Sequence, residues 1–222
     1  MLRGIFVTGT DTNVGKTVVS AALLARYRAE APLRYWKPIQ TGVDHDDDSR
    51  EVMRLAAARD SEVLNVGVRL PKPVSPHLAA RLAGTRVTVR SVLEQVEGQD
   101  GETRWVVEGA GGVLVPLNER ETMADLMEAL DLPVLIAARS TLGTINHTLM
   151  TIEALRRRRL KVAGVVMVGE PNDENRLAIE KYGAAEVLGQ MPRFDPLTPD
   201  ALARWAGSEL DRSGVLYVAA LR

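Results

Sequence analysis

Cysteine is absent from this chain of 222 residues, and histidine occurs only three times. The absence of cysteine excludes disulfide bonds, thiolate nucleophiles and zinc sites built on cysteine. A reducing compartment suits such a chain, so we expect a cytoplasmic protein. No run approaches the ~18 consecutive apolar residues of a membrane span, and the N-terminus lacks the apolar stretch of a secretory signal.

The chain also has little net charge, because its 28 basic and 29 acidic residues give a formal charge of -1. A near-neutral chain has no overall attraction to nucleic acid or to an anionic membrane, and we expect neither as a partner. The one basic run, Arg156-Arg157-Arg158-Arg159, ends a predicted helix without aromatic neighbours. Cations at a helix C-terminus complement the helix dipole, which favours a solvated helix end over a nucleic-acid patch.

Short apolar runs rich in branched residues alternate with longer helical patterns along the whole chain. This alternation is typical of βαβ units, and it predicts an α/β fold with a mostly parallel central sheet and helices on both faces. With no repeat or composition break, residues 1–222 are expected to form a single P-loop NTPase domain. The strands are predicted at 5–7, 33–36, 105–107, 134–137 and 162–168, with a further one near 216–218. The helices are predicted at 16–30, 49–58, 76–83, 88–97, 122–129, 144–159, 174–182 and 198–210.

The loop after the first predicted strand has the composition of a phosphate-binding P-loop. It begins at Gly9 and ends at Lys16 and Thr17, directly before an apolar helix. Backbone N–H groups of such a loop surround phosphate oxygens, while its lysine neutralises the outer phosphates and its threonine ligates Mg²⁺. One departure is that Thr10 stands where the usual pattern has its first glycine. A chance Gly-Lys-Thr at a helix start is the alternative. The predicted nucleotide contacts in this loop are Asn13, Val14, Gly15, Lys16, Thr17 and Val18.

Two acidic segments are candidates for further Mg²⁺ ligands, since magnesium prefers a few carboxylate oxygens together with phosphates and water. In the run 44–48 we choose Asp48, although an acidic first turn also simply suits a helix dipole. Glu108 follows the strand 105–107, where a Walker-B-type carboxylate lies. It is followed by Gly109, Ala110, Gly111 and Gly112, which would let the backbone approach a ligand. An ordinary charged strand end and a tight turn are the alternatives there.

A second lysine follows the second predicted strand, in the segment Lys37-Pro38-Ile39-Gln40-Thr41-Gly42. The loops at the carboxyl ends of parallel strands meet at one edge of the sheet, so Lys37 would emerge beside Lys16. Two ammonium groups at one phosphoryl centre stabilise the charge that builds during transfer. Taken alone, the Lys-Pro pair would equally be a surface turn.

Together these motifs closely resemble the dethiobiotin synthetase family of biotin biosynthesis. The resemblance is carried in chain order by Val7-Thr8-Gly9-Thr10-Asp11-Thr12, Lys16-Thr17, Lys37-Pro38, Thr41-Gly42, Ser75-Pro76-His77, Val107-Glu108-Gly109-Ala110-Gly111-Gly112-Val113, Leu132-Pro133-Val134 and Leu142-Gly143-Thr144-Ile145-Asn146-His147. This set is far more specific than a P-loop alone.

The resemblance implies that 7,8-diaminopelargonate, CO₂ and ATP or another nucleoside triphosphate become dethiobiotin, nucleoside diphosphate and phosphate. One amine takes up CO₂ as a carbamate, the γ-phosphoryl group converts the carbamate into a mixed anhydride, and the second amine closes the urea ring. Both amines lie on one molecule at high effective molarity, and no covalent enzyme nucleophile is needed.

The resemblance also implies roles for individual residues. Lys16 and Lys37 would be the catalytic lysines, and Thr17, Asp48 and Glu108 the Mg²⁺ set. Thr41 and Ser75 would lie beside the substrate. In this family a loop like Gly143, Thr144, Ile145 and Asn146 binds the substrate carboxylate across a dimer interface, which implies a homodimer. A simple helix cap at Thr144 is the alternative for that loop, and we assign no catalytic role to His77.

The nucleotide base and the competing functions stay open. Where the family often has an adenine-reading asparagine this chain has Val168-Gly169, so the base preference is undecided. Pro192, Arg193 and Phe194 would border the base, or form a plain loop. A nucleotide-switch ATPase of the partitioning or septum-site type is the main alternative function. Such proteins carry an extra lysine where this chain has Asp11. A related amidoligase domain is a third alternative, but this chain has no glutaminase nucleophile.

Overall fold

The computed structural model describes residues 2–99 and 102–221, and its main feature is a seven-stranded sheet of parallel strands. The strands of this sheet stand in the order β4-β2-β6-β1-β7-β8-β9. Their bounds are Arg3–Gly9 (β1), Leu33–Trp36 (β2), Val63–Leu64 (β4), Arg104–Gly112 (β6), Val134–Arg139 (β7), Val162–Val168 (β8) and Val187–Met191 (β9). A small second sheet pairs β3 (Ile39–Thr41) with β5 (Val68–Leu70).

The described residues form eight α-helices, and each corresponds to a predicted helix. Their bounds are Lys16–Tyr27 (α1), Asp48–Leu55 (α2), Pro76–Leu82 (α3), Val89–Leu93 (α4), Met123–Leu130 (α5), Thr144–Arg157 (α6), Asp173–Gly183 (α7) and Pro199–Glu209 (α8). Short 3₁₀ turns lie at Asp60–Glu62 and Glu94–Val96. In the described ranges, which omit only residues 1, 100, 101 and 222, no helix is long and apolar enough to cross a membrane.

The core lies in two layers, one on each side of the sheet. Along β1, Ile5 and Val7 face one layer and Phe6 faces the other, because successive side chains of a strand point to opposite faces. Helices α1, α2 and α8 cover the first layer, and α5, α6 and α7 contribute to the second. Burial on both faces explains why the strands are continuous apolar runs rather than alternating ones.

The predicted strand near 216–218 is wrong. The chain from Tyr217 to Leu221 forms a π-helical turn. The buried carboxylate of Asp211 accepts hydrogen bonds from the backbone N–H groups of Leu216 and Tyr217, at 3.0–3.2 Å. These bonds hold the two amides at the start of a helical turn and outweigh the local preference of the apolar residues for a strand. The same carboxylate accepts the phenol hydrogen of Tyr27 at the end of α1, at 2.6 Å.

Burial and the hydrogen bond to Asp211 raise the pKa of Tyr27. Tyr27→Phe is predicted to lower the free energy of unfolding by about 1–2 kcal/mol at neutral pH, because Asp211 loses a buried donor. Above about pH 10 the unfolded chain releases the phenol proton before the folded protein does, so the stability of the wild type falls there. The difference between wild type and variant should therefore narrow as the pH rises.

Urea unfolding at pH 7 and at pH 10.5 measures this difference. Tyr182→Phe is the control, because the Tyr182 side chain is exposed and its loss should change little at either pH. An equal difference at both pH values would show that Tyr27 is not held in its neutral form by the fold.

Candidate functional site

The phosphate-binding loop lies between β1 and α1, at the centre of the sheet. Gly15 precedes the helix with φ 93°, a left-handed conformation that favours glycine. A Cβ built at Gly15 would lie 3.0 Å from a methyl carbon of Val168, so a larger residue would also crowd β8. Lys16 is buried and its Nζ donates to the backbone carbonyl of Asp11 at 3.2 Å. In the structure this bond closes the loop over the Lys16 side chain.

Strand register brings Lys37 and Glu108 together. Trp36 of β2 pairs with Val107 of β6, so the residues that follow them lie side by side. Glu108 in turn pairs with Val7 of β1. The predicted strand 105–107 extends to Gly112, so Glu108 lies inside β6 rather than after its end. The result is a lysine and a carboxylate next to the phosphate-binding loop.

An ammonium and two carboxylates form the centre of the site. Lys37 Nζ lies 2.7 Å from Glu108 Oε1 and 2.6 Å from Asp48 Oδ2, and it donates to the carbonyl of Gly109 at 3.1 Å. The Lys37 side chain is 4% exposed and that of Glu108 is fully buried. Buried charges are costly unless they are paired and hydrogen-bonded, and here each partner satisfies the other.

The charges of this cluster shift its proton affinities. Burial alone would lower the pKa of Lys37, but the charges of Glu108 and Asp48 and their hydrogen bonds raise it above its ordinary value. Burial opposes ionisation of Asp48, yet the Lys37 ammonium lowers the pKa of that carboxyl below its ordinary value. Burial and then the positive charge of Lys37 lower the pKa of Lys16. The two ammonium groups thus share one electrostatic environment.

The three predicted magnesium ligands converge in the same place. Thr17 Oγ1 lies 3.0 Å from Asp48 Oδ1 and 3.0 Å from Glu108 Oε1. These are hard oxygen donors of the kind Mg²⁺ prefers, and a nucleotide-bound Mg²⁺ takes one or two carboxylates with phosphates and water. Across the described part of the chain no group of three or more His, Cys, Asp or Glu side chains could hold a metal alone. The donor set therefore fits a magnesium ion that arrives with a nucleotide.

A cavity of about 650 Å³ opens over this cluster. Most of the predicted site residues line it, namely Asn13, Gly15, Lys16, Thr17, Val18, Lys37, Thr41, Asp48, Ser75, Glu108, Ala110 and Gly111. Its volume lies within the range of small-molecule sites in proteins. Ser75 lies on its wall, and Ser75 Oγ is 3.0 Å from Nδ1 of His77. The cavity thus joins the phosphate-binding loop to the predicted substrate side.

Other predicted site residues lie outside this cavity. The side chain of Val14 packs in the core, and the carbonyl of Gly109 is bonded to Lys37. Residues Gly143, Thr144, Ile145 and Asn146 lie at the start of α6, where Gly143 rather than Thr144 is the helix cap. Pro192, Arg193 and Phe194 follow β9, and Phe194 packs against the core.

Several lining residues were not predicted from the sequence. Gly42, His45, Asp46, Pro73, Val74 and Val115 also line the cavity. Tyr35 was missed as well, although its hydroxyl donates to Glu108 Oε2 at 3.0 Å. A signal for Tyr35 exists in the sequence: it precedes Lys37 by two residues in an extended segment, so both side chains point to the same side.

Comparison with known proteins identifies the family. A family model described as an AAA domain matches residues 3–201. The chain is 50% identical over 202 residues to ATP-dependent dethiobiotin synthetase BioD of Paramagnetospirillum magneticum, covering 91% of this chain and 94% of that protein. It is 44% identical over 196 residues to BioD of Agrobacterium fabrum, covering 88% and 89%. The chain belongs to the dethiobiotin synthetase family.

A solved structure with a similar fold is a ParA family ATPase from Chlorobium tepidum. The TM-score is 0.55, with 98% of each chain covered and 10% sequence identity. At this identity the likeness concerns the fold alone, and it confirms the predicted P-loop α/β architecture. The dethiobiotin synthetase relatives, at 44–50% identity, decide between the ligase and the nucleotide-switch reading in favour of the ligase.

Lys37→Met is predicted to lower the free energy of unfolding of the nucleotide-free protein by about 3–5 kcal/mol, because the buried carboxylate of Glu108 and the partly buried carboxylate of Asp48 then lose their shared cation. Lys161→Met is the matched control, because the Lys161 side chain is exposed. Its effect should stay within about 0.5 kcal/mol. Urea unfolding in the presence of a chelator measures both, and equal losses would contradict the central role of the Lys37 ion pair.

Proposed function

We propose that this protein is an ATP-dependent dethiobiotin synthetase that closes the urea ring of dethiobiotin from 7,8-diaminopelargonate and CO₂. Family membership supports ATP as the co-substrate and a role in biotin biosynthesis. The single observation that carries the proposal for the site is the convergence of Lys16, Thr17, Lys37, Asp48 and Glu108 on one cavity.

The phosphate-binding loop would hold the triphosphate through its backbone N–H groups and the ammonium of Lys16. Thr17, Asp48 and Glu108 would hold Mg²⁺, which when bound neutralises phosphate charge and orients the terminal phosphoryl group. The short distances from Thr17 Oγ1 to both carboxylates support this assignment. The segment Gly109, Ala110 and Gly111 lies beside the phosphates in this arrangement.

Lys37 would stabilise the charge that develops as the γ-phosphoryl group moves to a carbamate oxygen of the substrate. Its buried ammonium is preorganised by Glu108 and Asp48 and stays protonated, since its pKa is raised. Thr41 and Ser75 lie on the cavity wall and would position the diamine and its carbamate. The carbamate oxygen leaves poorly, whereas the phosphate of the mixed anhydride leaves readily, so the second amine attacks the carbonyl carbon and expels phosphate.

The protein would form a homodimer, with the residues at the start of α6 at the interface between the two subunits. Asn146 and Met150 lie four residues apart in α6 and therefore share a face of that helix, and Leu142 lies just before the helix begins. Leu142 is fully exposed and Met150 is 52% exposed. Exposed apolar side chains around a polar loop suit a protein interface. Gly143, Thr144, Ile145 and Asn146 would then bind the carboxylate tail of the diamine in the cavity of the partner subunit.

The base of the nucleotide would lie near the ends of β8 and β9, beside Pro192, Arg193 and Phe194. Asn172, which follows Val168-Gly169, has its side chain engaged as the cap of α7, where it accepts from the N–H of Asn175 at 2.9 Å. The preference among nucleoside triphosphates is a separate question from the transfer chemistry.

Phosphate release is predicted to depend strictly on the diamine and on bicarbonate as the source of CO₂. Lys37→Ala should lower turnover at least about 10²-fold, because a preorganised donor to the transition state is lost. Nucleotide binding should persist, since the loop and Lys16 still hold the phosphates. Lys161→Ala is the control and should leave turnover unchanged. Hydrolysis that ignores the diamine but responds to a protein or a lipid would favour the nucleotide switch.

Sharing of the site between two subunits is tested with mixed dimers. Asn146→Asp should raise the KM for the diamine by repelling its carboxylate. Co-expression with Lys37→Ala under separate tags should then restore about a quarter of the wild-type rate at low diamine, because half of randomly formed dimers carry one intact site. Mixing Lys37→Ala with Glu108→Gln is the matched control. Lys37 and Glu108 of each site come from the same subunit, so this mixture forms no intact site. No recovery in the first mixture would contradict the shared site.

A further inference from the structure

Tyr35 is a buried phenol that the reaction itself does not use. Its side chain is fully buried in β2, and it is outside the set of residues that line the cavity. The Tyr35 hydroxyl donates a hydrogen bond to Glu108 Oε2 at 3.0 Å. Tyr35 thus contacts the cluster through Oε2 of Glu108 without lining the cavity.

The two oxygens of Glu108 have different partners. Oε1 accepts from Lys37 Nζ at 2.7 Å and from Thr17 Oγ1 at 3.0 Å, on the cavity side. Oε2 accepts from Tyr35. A carboxylate with different donors on its two oxygens is held in one orientation, because rotation about its last bond would break bonds at both oxygens. A partner that orients a metal-binding carboxylate in this way commonly changes metal affinity when it is removed.

We propose that Tyr35 is a positioning residue that orients Glu108 for the divalent cation bound with the nucleotide. This inference rests on the proposed magnesium site. A phenol suits the task because it supplies one donor and adds no charge, so the negative charge of Asp48 and Glu108 remains available to the cation. A lysine or arginine at the same position would supply the donor but would compete with the metal.

The test is the Mg²⁺ dependence of ATP binding, measured by calorimetry without the diamine so that no turnover occurs. Tyr35→Phe keeps the ring and removes only the hydroxyl. We expect the Mg²⁺ concentration at half-saturation to rise about 10-fold, while binding of ATP without Mg²⁺ stays unchanged. Tyr27→Phe is the matched control. It also removes a buried bond from a phenol to a carboxylate, that of Asp211 at 2.6 Å, but away from the cavity.

The effect of Tyr35→Phe is measured a second time in a protein that carries Glu108→Gln. This comparison separates an effect through Glu108 from a merely structural one. If Tyr35 acts through Glu108, Tyr35→Phe adds little to the Mg²⁺ requirement of Glu108→Gln, and the double-mutant cycle shows strong coupling. An unchanged Mg²⁺ requirement in Tyr35→Phe, or the same rise in both backgrounds, overturns the inference. Should Tyr35→Phe fail to fold, the double variant is compared with Glu108→Gln alone, and a further 10-fold rise there also overturns it. Wild-type ATP binding that ignores Mg²⁺ would instead reject the proposed metal site.

Discussion

The buried ammonium of Lys37 lies between two carboxylates, and the rest of the site depends on this contact. Without the lysine, the buried carboxylate of Glu108 and the partly buried carboxylate of Asp48 would be like charges held close together with no cation between them. With it, the Lys37 ammonium lowers the pKa of the Asp48 carboxyl, and both carboxylates keep their oxygens near Thr17. The same pair fixes the lysine beside the phosphate-binding loop. One interaction therefore stabilises the buried charges and preorganises the proposed phosphoryl-transfer site.

The parallel sheet explains how residues far apart in the sequence meet at this contact. β1, β6 and β2 are neighbours, so the phosphate-binding loop, Glu108 and Lys37 reach the same edge. The sequence predicts β1, β2, β6, β7 and β8 and the eight described α-helices, since buried apolar runs and helical periodicity are strong signals. It misses β9, in which Gly189 and Gln190 interrupt the apolar run. β3, β4 and β5 contain only two or three residues, which is too short for a periodic pattern. The predicted strand near 216–218 fails because bonds to Asp211 are made only in the folded protein.

Some site residues can be predicted from local sequence motifs, whereas others depend on contacts made only in the folded protein. Lys16 and Thr17 are predictable from a local motif, and Lys37 and Glu108 from their places relative to strands. Asp48 is chosen within an acidic run because a nucleotide-bound Mg²⁺ needs carboxylates, and the structure places it against Lys37. For Tyr35, the spacing from Lys37 indicates the side of the strand, but its partner Glu108 is set by strand register, which alternation alone does not give. A residue that orients another carries little signal of its own in one sequence.

The most direct test of the account is a crystal structure with Mg²⁺ and a non-hydrolysable ATP analogue. The account predicts Lys16 Nζ and Lys37 Nζ both within about 3.2 Å of oxygens of the terminal phosphoryl group, with the cation bound to Thr17 Oγ1. Lysine nitrogens pointing into separate cavities, with the cation distant from Thr17, would contradict the proposed site.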